Sequence, residues 1–140
     1  MNRSILFTFF AVGLLLSSSG CRTTPIPTQL VGEWATPDSK FQNNALSDGE
    51  ALYISADGII VMIAGPPPIG TQGKVKYSNS SHELTVHVKA NPDEGLNVPI
   101  KAKLVYDPEH RTIRGDIGKD ENSVFTRRRD SVPSGIIEPE

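Results

Sequence analysis

Cysteine and long apolar runs are both scarce in this sequence. Cys21 is the single cysteine among 140 residues, so no disulfide can form within one chain and a hydrophobic core has to stabilise the fold. No apolar run reaches the roughly 20 residues that a membrane-spanning helix needs. The longest, residues 5–16, has 12 residues, a length typical of the apolar centre of an export signal.

Neither sign of charge is in large excess. The chain has 14 Lys and Arg against 16 Asp and Glu, a net charge of −2. Cleavage of residues 1–20 would remove one base, Arg3, and leave 13 bases against the same 16 acids. A mildly acidic chain with few aromatic residues, and no basic stretch interleaved with them, predicts that nucleic acid is not a partner.

Residues typical of catalytic and metal sites are also few. His82 and His87 are five positions apart, so on one strand they would point to opposite faces and could not share a metal ion. His110 stands beside Asp107 and Glu109 in a predicted turn, where charged side chains are usually solvated. Neither a Gly-x-Ser-x-Gly motif nor a phosphate-binding glycine loop occurs. We therefore expect no enzymatic activity, no metal site and no cofactor.

The position of Cys21 carries the clearest motif. A basic start at Arg3, the apolar run and four small residues precede it. This segment resembles the lipobox of bacterial lipoproteins: Ser19, Gly20 and Cys21 match its last three positions, and Ser18 stands where a leucine is usual. The resemblance implies cleavage after Gly20, a diacylglycerol on the sulfur of Cys21 and acylation of the new amine. The alternatives are a plain signal peptide and an uncleaved membrane helix.

The interpretation of Cys21 as a lipidated cysteine divides the chain into four parts. They are a lipoprotein signal peptide (1–20), a lipidated tether (21–29), a folded domain (30–129) and a flexible C-terminal tail (130–140). Each buried methylene contributes about 0.8 kcal/mol, so two or more acyl chains on Cys21 would anchor the protein to a membrane permanently. Arg22 is not the aspartate associated with retention in the inner membrane. We therefore expect a cell-envelope protein on the outer membrane, facing the periplasm.

The folded domain alternates apolar and polar residues with a period of two and shows almost no helical spacing. Residues 58–64 are instead apolar at successive positions, which predicts a strand buried on both sides or one helical turn. Turn residues such as Gly, Pro, Asp and Asn separate the runs. An all-β fold follows, with about eight strands in an antiparallel up-and-down barrel, and a β-sandwich as the alternative. The predicted strands are 32–36, 50–55, 58–64, 74–77, 84–89, 98–106, 112–117 and 123–128.

Gly32 and Trp34 open the first predicted strand, and Phe125 and Arg127 share one face of the last. A Gly-x-Trp at the start of an eight-strand meander, with a Phe-x-Arg at its end, resembles the lipocalin-like (calycin) barrels. The resemblance implies that Trp34 closes one end of the barrel and packs against Arg127, where a guanidinium over an indole would contribute about 0.5–2 kcal/mol. We interpret the four residues as a structural plug.

The alternation also predicts which apolar side chains face the barrel interior and could line a ligand cavity. They are Leu84, Val86, Val88, Ile100, Ala102, Leu104, Ile113 and Ile117. Two loops are candidate contacts for a partner: residues 65–70, with Pro66, Pro67, Pro68 and Ile69, and residues 90–97, with Leu96. The prolines could alternatively serve only to end a strand.

The predicted function is a non-enzymatic binding module, held by a lipid anchor, for a small apolar ligand or an envelope component. The alternative is an inhibitor of a periplasmic or host hydrolase, since small barrels with a Gly-x-Trp start also resemble periplasmic protease inhibitors, and lipid-anchored lysozyme inhibitors have a similar size. A structural role without a ligand is a third hypothesis.

Overall fold

The computed structural model describes residues 25–117 and 121–139, with the backbone alone at Glu94. The predicted signal peptide, Cys21 and the first half of the tether lie outside these residues. The chain forms nine strands and one short 3-10 turn. They are β1 Gly32–Ala35, β2 Lys40–Gln42, β3 Ala45–Ile54, β4 Ile59–Gly65, β5 Ile69–Tyr77, β6 Glu83–Val88, the turn Pro92–Glu94, β7 Ile100–Asp107, β8 Thr112–Gly115 and β9 Ser123–Arg129.

Eight of the strands close into an antiparallel barrel. Each strand from β3 to β9 pairs with the next along the chain, and the short strand β1 pairs with both β3 and β9 to complete the ring. The ninth strand, β2, lies outside the ring and pairs with the first part of β3. The predicted all-β, eight-stranded barrel is confirmed, and the chain is not a two-sheet sandwich.

Strand β2 and the first half of β3 lie in a stretch where the sequence predicts no strand. They form a hairpin at Asn43 and Asn44, which both have positive φ angles of 49° and 67°. Two successive residues of this conformation suit a tight hairpin turn, and asparagine tolerates it. The Asn-Asn pair is thus the signal that could have revealed the hairpin.

Strand β5 begins at Ile69, five residues before the predicted start at Lys74. Gly70 and Gly73 interrupt the apolar pattern in this part of the strand. Gly73 is needed there because a Cβ at this position would lie 2.6 Å from the carbonyl oxygen of His87 on β6. The alternation of side chains therefore did not predict the first half of β5, because the close approach of two backbones requires glycine there.

The barrel interior holds one large cluster of apolar side chains. Trp34 lies near one end, where Tyr106 meets it edge-on with the ring centroids 6.2 Å apart. The inward-facing residues of the other strands pack in the same interior cluster. The buried members of this cluster are Ile26, Leu30, Trp34, Leu52, Ile54, Ile60, Met62, Val75, Leu84, Val86, Val88, Leu104, Tyr106, Ile113 and Phe125.

A second apolar cluster lies on the outer wall, over β1, β3 and β4. Its buried members are Ala35, Leu46, Ala51, Tyr53 and Val61. The cluster explains why residues 58–64 are apolar at successive positions: Ile60 and Met62 face the interior, while Val61 and Ile63 face this outer cluster. The run therefore forms the doubly buried strand that its composition predicts.

The C-terminal segment covers this outer cluster. Val132, Ile136 and Ile137 are partly buried and pack against it, together with Phe41 of β2. The sequence predicts a flexible tail at 130–140 because of Pro133 and Gly135. Val132, Ile136, Ile137 and Glu138 of this segment contact the barrel. No helix in the described ranges is long and apolar enough to cross a membrane.

Candidate functional site

The four residues of the predicted plug lie on β1 and β9, which pair with each other. The indole Nε1 of Trp34 donates a hydrogen bond to the Leu30 carbonyl at 3.0 Å, and Phe125 is fully buried in the same cluster. Arg127 is the direct β-sheet partner of Trp34. Its Nη2 donates to the carbonyls of Val31 at 2.6 Å and Thr28 at 3.1 Å. Arg127 thus ties the last strand to the turn that precedes the first.

The guanidinium that stacks on an aromatic ring belongs to the neighbouring residue. Arg128 lies 3.7 Å above the ring centroid of Phe41, on the outer wall. The sequence predicts such a contact between Arg127 and Trp34, but the guanidinium of Arg127 instead donates hydrogen bonds to two backbone carbonyls. Charge-assisted hydrogen bonds to backbone carbonyls are the stronger interaction.

Gly32 allows the last strand to reach the first. Its φ is +132°, and a Cβ there would lie 2.1 Å from the carbonyl oxygen of Arg129. The register between β1 and β9 shifts by one residue at Glu33 and Trp34, as in a β-bulge. The glycine of the Gly-x-Trp motif is therefore required for closure of the barrel.

Most of the predicted cavity-lining residues are part of the packed interior. Leu84, Val86, Val88, Leu104 and Ile113 are buried there, and Ala102 and Ile117 pack against them. Ile100 differs from the prediction, since it is 39 % exposed where β7 begins. The described side chains thus fill the barrel with one another rather than lining a deep cavity.

A groove instead runs along the outer wall, with a volume of about 1010 Å³. Outward-facing residues of β4 and β5 form its floor, the C-terminal segment forms one side and the segment after β6 the other. Ile69 and Leu96, from the two candidate partner loops, both line it. Pro66, Pro67 and Pro68 are exposed in the β4–β5 turn and are not among its lining residues.

The two sides of the groove differ in charge. Lys74 on β5, His87 on β6 and Lys89 directly after β6 lie towards one side, and Glu138 lies on the C-terminal segment that forms the other. Between them the floor is apolar, with Ile59, Val61 and Ile63 from β4 and Ile136 from the C-terminal segment. The groove is therefore amphipathic, with apolar and basic surfaces side by side.

Gln72 fixes the C-terminal segment at the edge of this groove. Its Oε1 accepts a hydrogen bond from the backbone N–H of Glu138 at 2.8 Å, and its Nε2 donates to the carbonyl of the same residue at 3.0 Å. A side-chain amide that binds both backbone groups of one residue imitates a neighbouring β-strand. The wall opposite the lysines is thus built from an extended peptide segment.

A buried polar cluster lies next to the groove, under Phe41 and the C-terminal segment. Glu33 is fully buried, with its Oε1 2.6 Å from Nη1 of Arg128 and its Oε2 3.2 Å from Nε of Arg129. Tyr53, the cross-strand partner of Glu33, is also fully buried, and its hydroxyl has no hydrogen-bond partner among the described residues. Burial, and then the charge of Glu33, raise the pKa of Tyr53 to about 12.

The sequence does not reveal this cluster because Glu33 occupies an outward position of β1, where an acid would be solvated. The available signal was the run of three arginines that ends β9, since Arg128 and Arg129 both pair with Glu33. A second buried carboxyl, Glu50, lies on the inward face of β3 and accepts a hydrogen bond from the hydroxyl of Ser123.

The remaining polar candidates are in turns. The Asp107 carboxylate is bound by the ring Nδ1 of His110 at 2.7 Å, and this hydrogen bond, with the backbone N–H groups of His110 and Glu109, holds the pKa of Asp107 below its usual value. His82 precedes β6, and its Nδ1 lies 2.9 Å from the Tyr77 hydroxyl. Within residues 25–117 and 121–139, no three His, Cys, Asp or Glu side chains are placed to hold a metal ion.

No model of a protein family matches the chain, and no curated protein matches it either.

Proposed function

We propose that this protein is a lipid-anchored component of the bacterial cell envelope, on the outer membrane facing the periplasm, and that it acts as a non-enzymatic binding module. Its outer-wall groove binds either an apolar segment of an envelope protein or a small apolar ligand.

The groove itself carries this proposal. The interior of the barrel is occupied by its own side chains, so the open, amphipathic channel between β5 and the C-terminal segment is the favoured binding surface. Ile69 at its edge is 69 % exposed, which is unusual for a large apolar side chain. Each 100 Å² of apolar surface that a ligand covers there contributes about 2.5 kcal/mol before the costs of association.

A photo-crosslinking amino acid at position 69, in the protein on its own membrane, tests the groove. The matched control is position 105, because Val105 is also an exposed apolar residue (45 %) but lies on β7 away from the groove. We expect position 69 to give a crosslinked component that position 105 does not give. The same crosslinks from both positions, or none from either, would refute the proposal.

A separate experiment tests the anchor. Labelled palmitate should be incorporated into the wild-type chain, and Cys21→Ser should prevent this and release the protein into the soluble fraction when the membranes are washed at about 1 M salt, which screens charge contacts with the headgroups. A Cys21→Ser protein that remains in the membrane fraction to the same extent would contradict the lipid anchor, whatever the crosslinking shows.

The alternative function, inhibition of a protease or lysozyme-type hydrolase, is favoured by a different surface. The β4–β5 turn and the β6–β7 segment lie at the same end of the barrel, since β5 begins where its antiparallel partner β6 ends. They expose residues 66–68, Ile69 and, at 66 %, Val98. Projecting apolar and proline-rich loops of this kind suit insertion into an enzyme cleft.

Val98→Asp separates the two functions because Val98 does not line the groove. An inhibitor should lose its effect on hydrolysis with this substitution, whereas groove binding detected by crosslinking at position 69 should be unchanged. The measurement is the rate of hydrolysis by a panel of lysozymes and periplasmic proteases with residues 22–140 added. No inhibition by the wild-type protein would eliminate this alternative.

A further inference from the structure

The outer faces of β5, β6 and β7 together form a basic surface that is not visible in the linear sequence. Lys74, His87 and Lys101 are cross-strand partners in one row. Lys76 and Lys103 lie on either side of Thr85 in the next row. Lys89 follows β6, and Arg114 on β8 lies opposite Val105 of β7. All six lysine and arginine side chains are exposed, and they are six of the chain's 14.

Few acids lie on the strands of this surface. The acids within the strands β5, β6, β7 and β8 themselves are Glu83, whose Oε1 lies 3.2 Å from Nζ of Lys103, and Asp107, which binds His110 in the turn at the end of β7. Asp93, Glu94 and Glu109 lie in the segments that connect these strands. Many of the other acids lie in turns and connecting segments, among them Asp57, Asp93 and Asp130. The net charge of −2 for the whole chain thus conceals a strongly basic wall.

Protection of a sheet edge does not explain these lysines. Lysine is common on edge strands, where it prevents pairing with another chain. Here β5, β6 and β7 each have hydrogen-bonded partners on both sides, because the barrel is closed. His87 and Thr85 separate the lysines of β5 from those of β7, so the wall carries spaced positive charges rather than directly opposed ones. An anionic surface that covers this wall would meet several of these charges at once.

We propose that this basic wall binds the anionic lipid headgroups of a membrane. The choice of a membrane among anionic partners rests on the lipid anchor proposed above. The described chain starts close to the wall. The N–H of Ile26 donates to the carbonyl of Ala56 in the β3–β4 turn. In the same turn the carbonyl of Gly58 accepts from the N–H of Val75, which lies between Lys74 and Lys76 on β5. Three residues separate Cys21 from Pro25, and the four Cα–Cα steps between them span about 14 Å at most. An anchored barrel is therefore held near the headgroups, at a distance of the same order as the Debye length of about 8 Å at physiological salt.

Vesicle sedimentation with the chain from Arg22 to Glu140 tests the basic wall without the anchor. This chain retains every strand and contact of the barrel and carries no apolar signal. We expect it to bind vesicles that contain phosphatidylglycerol and not vesicles of phosphatidylcholine alone. Raising the salt from about 0.1 M to about 1 M shortens the Debye length from about 10 to about 3 Å and should release it.

The variant Lys76→Gln/Lys101→Gln removes two charges from the wall. We expect it to weaken the partition onto anionic vesicles about 25-fold, because each basic residue near a charged surface contributes about a five-fold factor. Two matched controls should bind like the wild type: Lys76→Arg/Lys101→Arg, which keeps the charge, and Lys40→Gln/Arg111→Gln, which removes two charges elsewhere. Equal melting temperatures show that all the variants fold.

Three results would overturn the proposal. They are equal binding to neutral and anionic vesicles, an equal loss of binding in both Gln variants, and tighter binding to a single-stranded oligonucleotide than to anionic vesicles, which would assign the wall to another polyanion. Since Cys21 is absent from the protein tested, none of these results bears on the lipid anchor, and failure of palmitate labelling would not affect the vesicle result.

Discussion

Substitution of the glycine in the Gly-x-Trp motif tests how the barrel closes. In Gly32→Ala the new Cβ would lie 2.1 Å from the carbonyl oxygen of Arg129, in a backbone conformation with φ of +132°. The conformation itself costs about 1–3 kcal/mol for a residue with a side chain. The clash requires β9 to move, at a cost typical of overpacking, about 1–3 kcal/mol. Alanine also restricts the unfolded chain, which returns about 0.4–1 kcal/mol.

The net expectation is a loss of about 1–5 kcal/mol in the free energy of unfolding, measured by urea denaturation. For a domain of this size the melting temperature should fall by about 4–20 °C. Gly95→Ala is the matched control, since Gly95 also has a positive φ of 83° but no atom lies within 4 Å of the Cβ position. It should lose no more than about 1–2 kcal/mol, because it carries only the cost of the conformation.

The comparison of the two alanine variants decides between steric and purely conformational roles for the motif glycine. If Gly32→Ala were no less stable than Gly95→Ala, the close approach of Arg129 would have no energetic consequence, and a steric requirement for glycine at position 32 would be refuted. A change in the slope of the urea transition for Gly32→Ala alone would indicate that β1 and β9 separate rather than shift.

Three further predictions concern the outer wall. Tyr53 has a pKa of about 12 in the folded protein against an ordinary value of 10.0, so its contribution to stability is complete below pH 10 and is lost as the pH rises from 10 through 12. Over this interval the urea midpoint of the wild type should fall, and Tyr53→Phe should make that fall smaller. An equal fall in the variant would contradict the raised pKa of Tyr53. Gln72→Ala should release the C-terminal segment, with faster hydrogen exchange at the Glu138 amide and a loss of about 1 kcal/mol, while exchange in β6 stays the same. Glu33→Gln should cost about 1–3 kcal/mol, since Arg128 and Arg129 lose a buried carboxylate but keep partial access to water; thermal unfolding at two salt concentrations measures it, and a more stable variant would refute it.

Much of the inner surface of the barrel could be predicted from the sequence because it follows from local alternation. Leu84, Val86 and Val88 face inward on β6 because the side chains of a strand alternate between its two faces, and this requires no knowledge of the neighbouring strands. The predictions failed where the backbone rather than the side chains set the structure, as at the Asn43-Asn44 hairpin and at the glycines of β5.

The candidate groove and the basic wall depended on contacts between distant parts of the chain. Ile69 and Leu96 were candidate contacts from their sequence alone, but the opposite wall of the groove exists because Gln72 binds Glu138, 66 residues further along. Lys74 and Lys101 become neighbours of His87 only through the registers of β5, β6 and β7.

The sequence by itself determined that this chain forms strands, which residues of those strands are apolar, and that a glycine and a tryptophan open the first one. The tertiary structure decided how the ring closes, which outer surface is covered by the C-terminal segment and which is left basic. The physical reason is that the period of a strand is a property of neighbouring residues, whereas the register and the covering of a sheet depend on pairs of residues far apart in the chain.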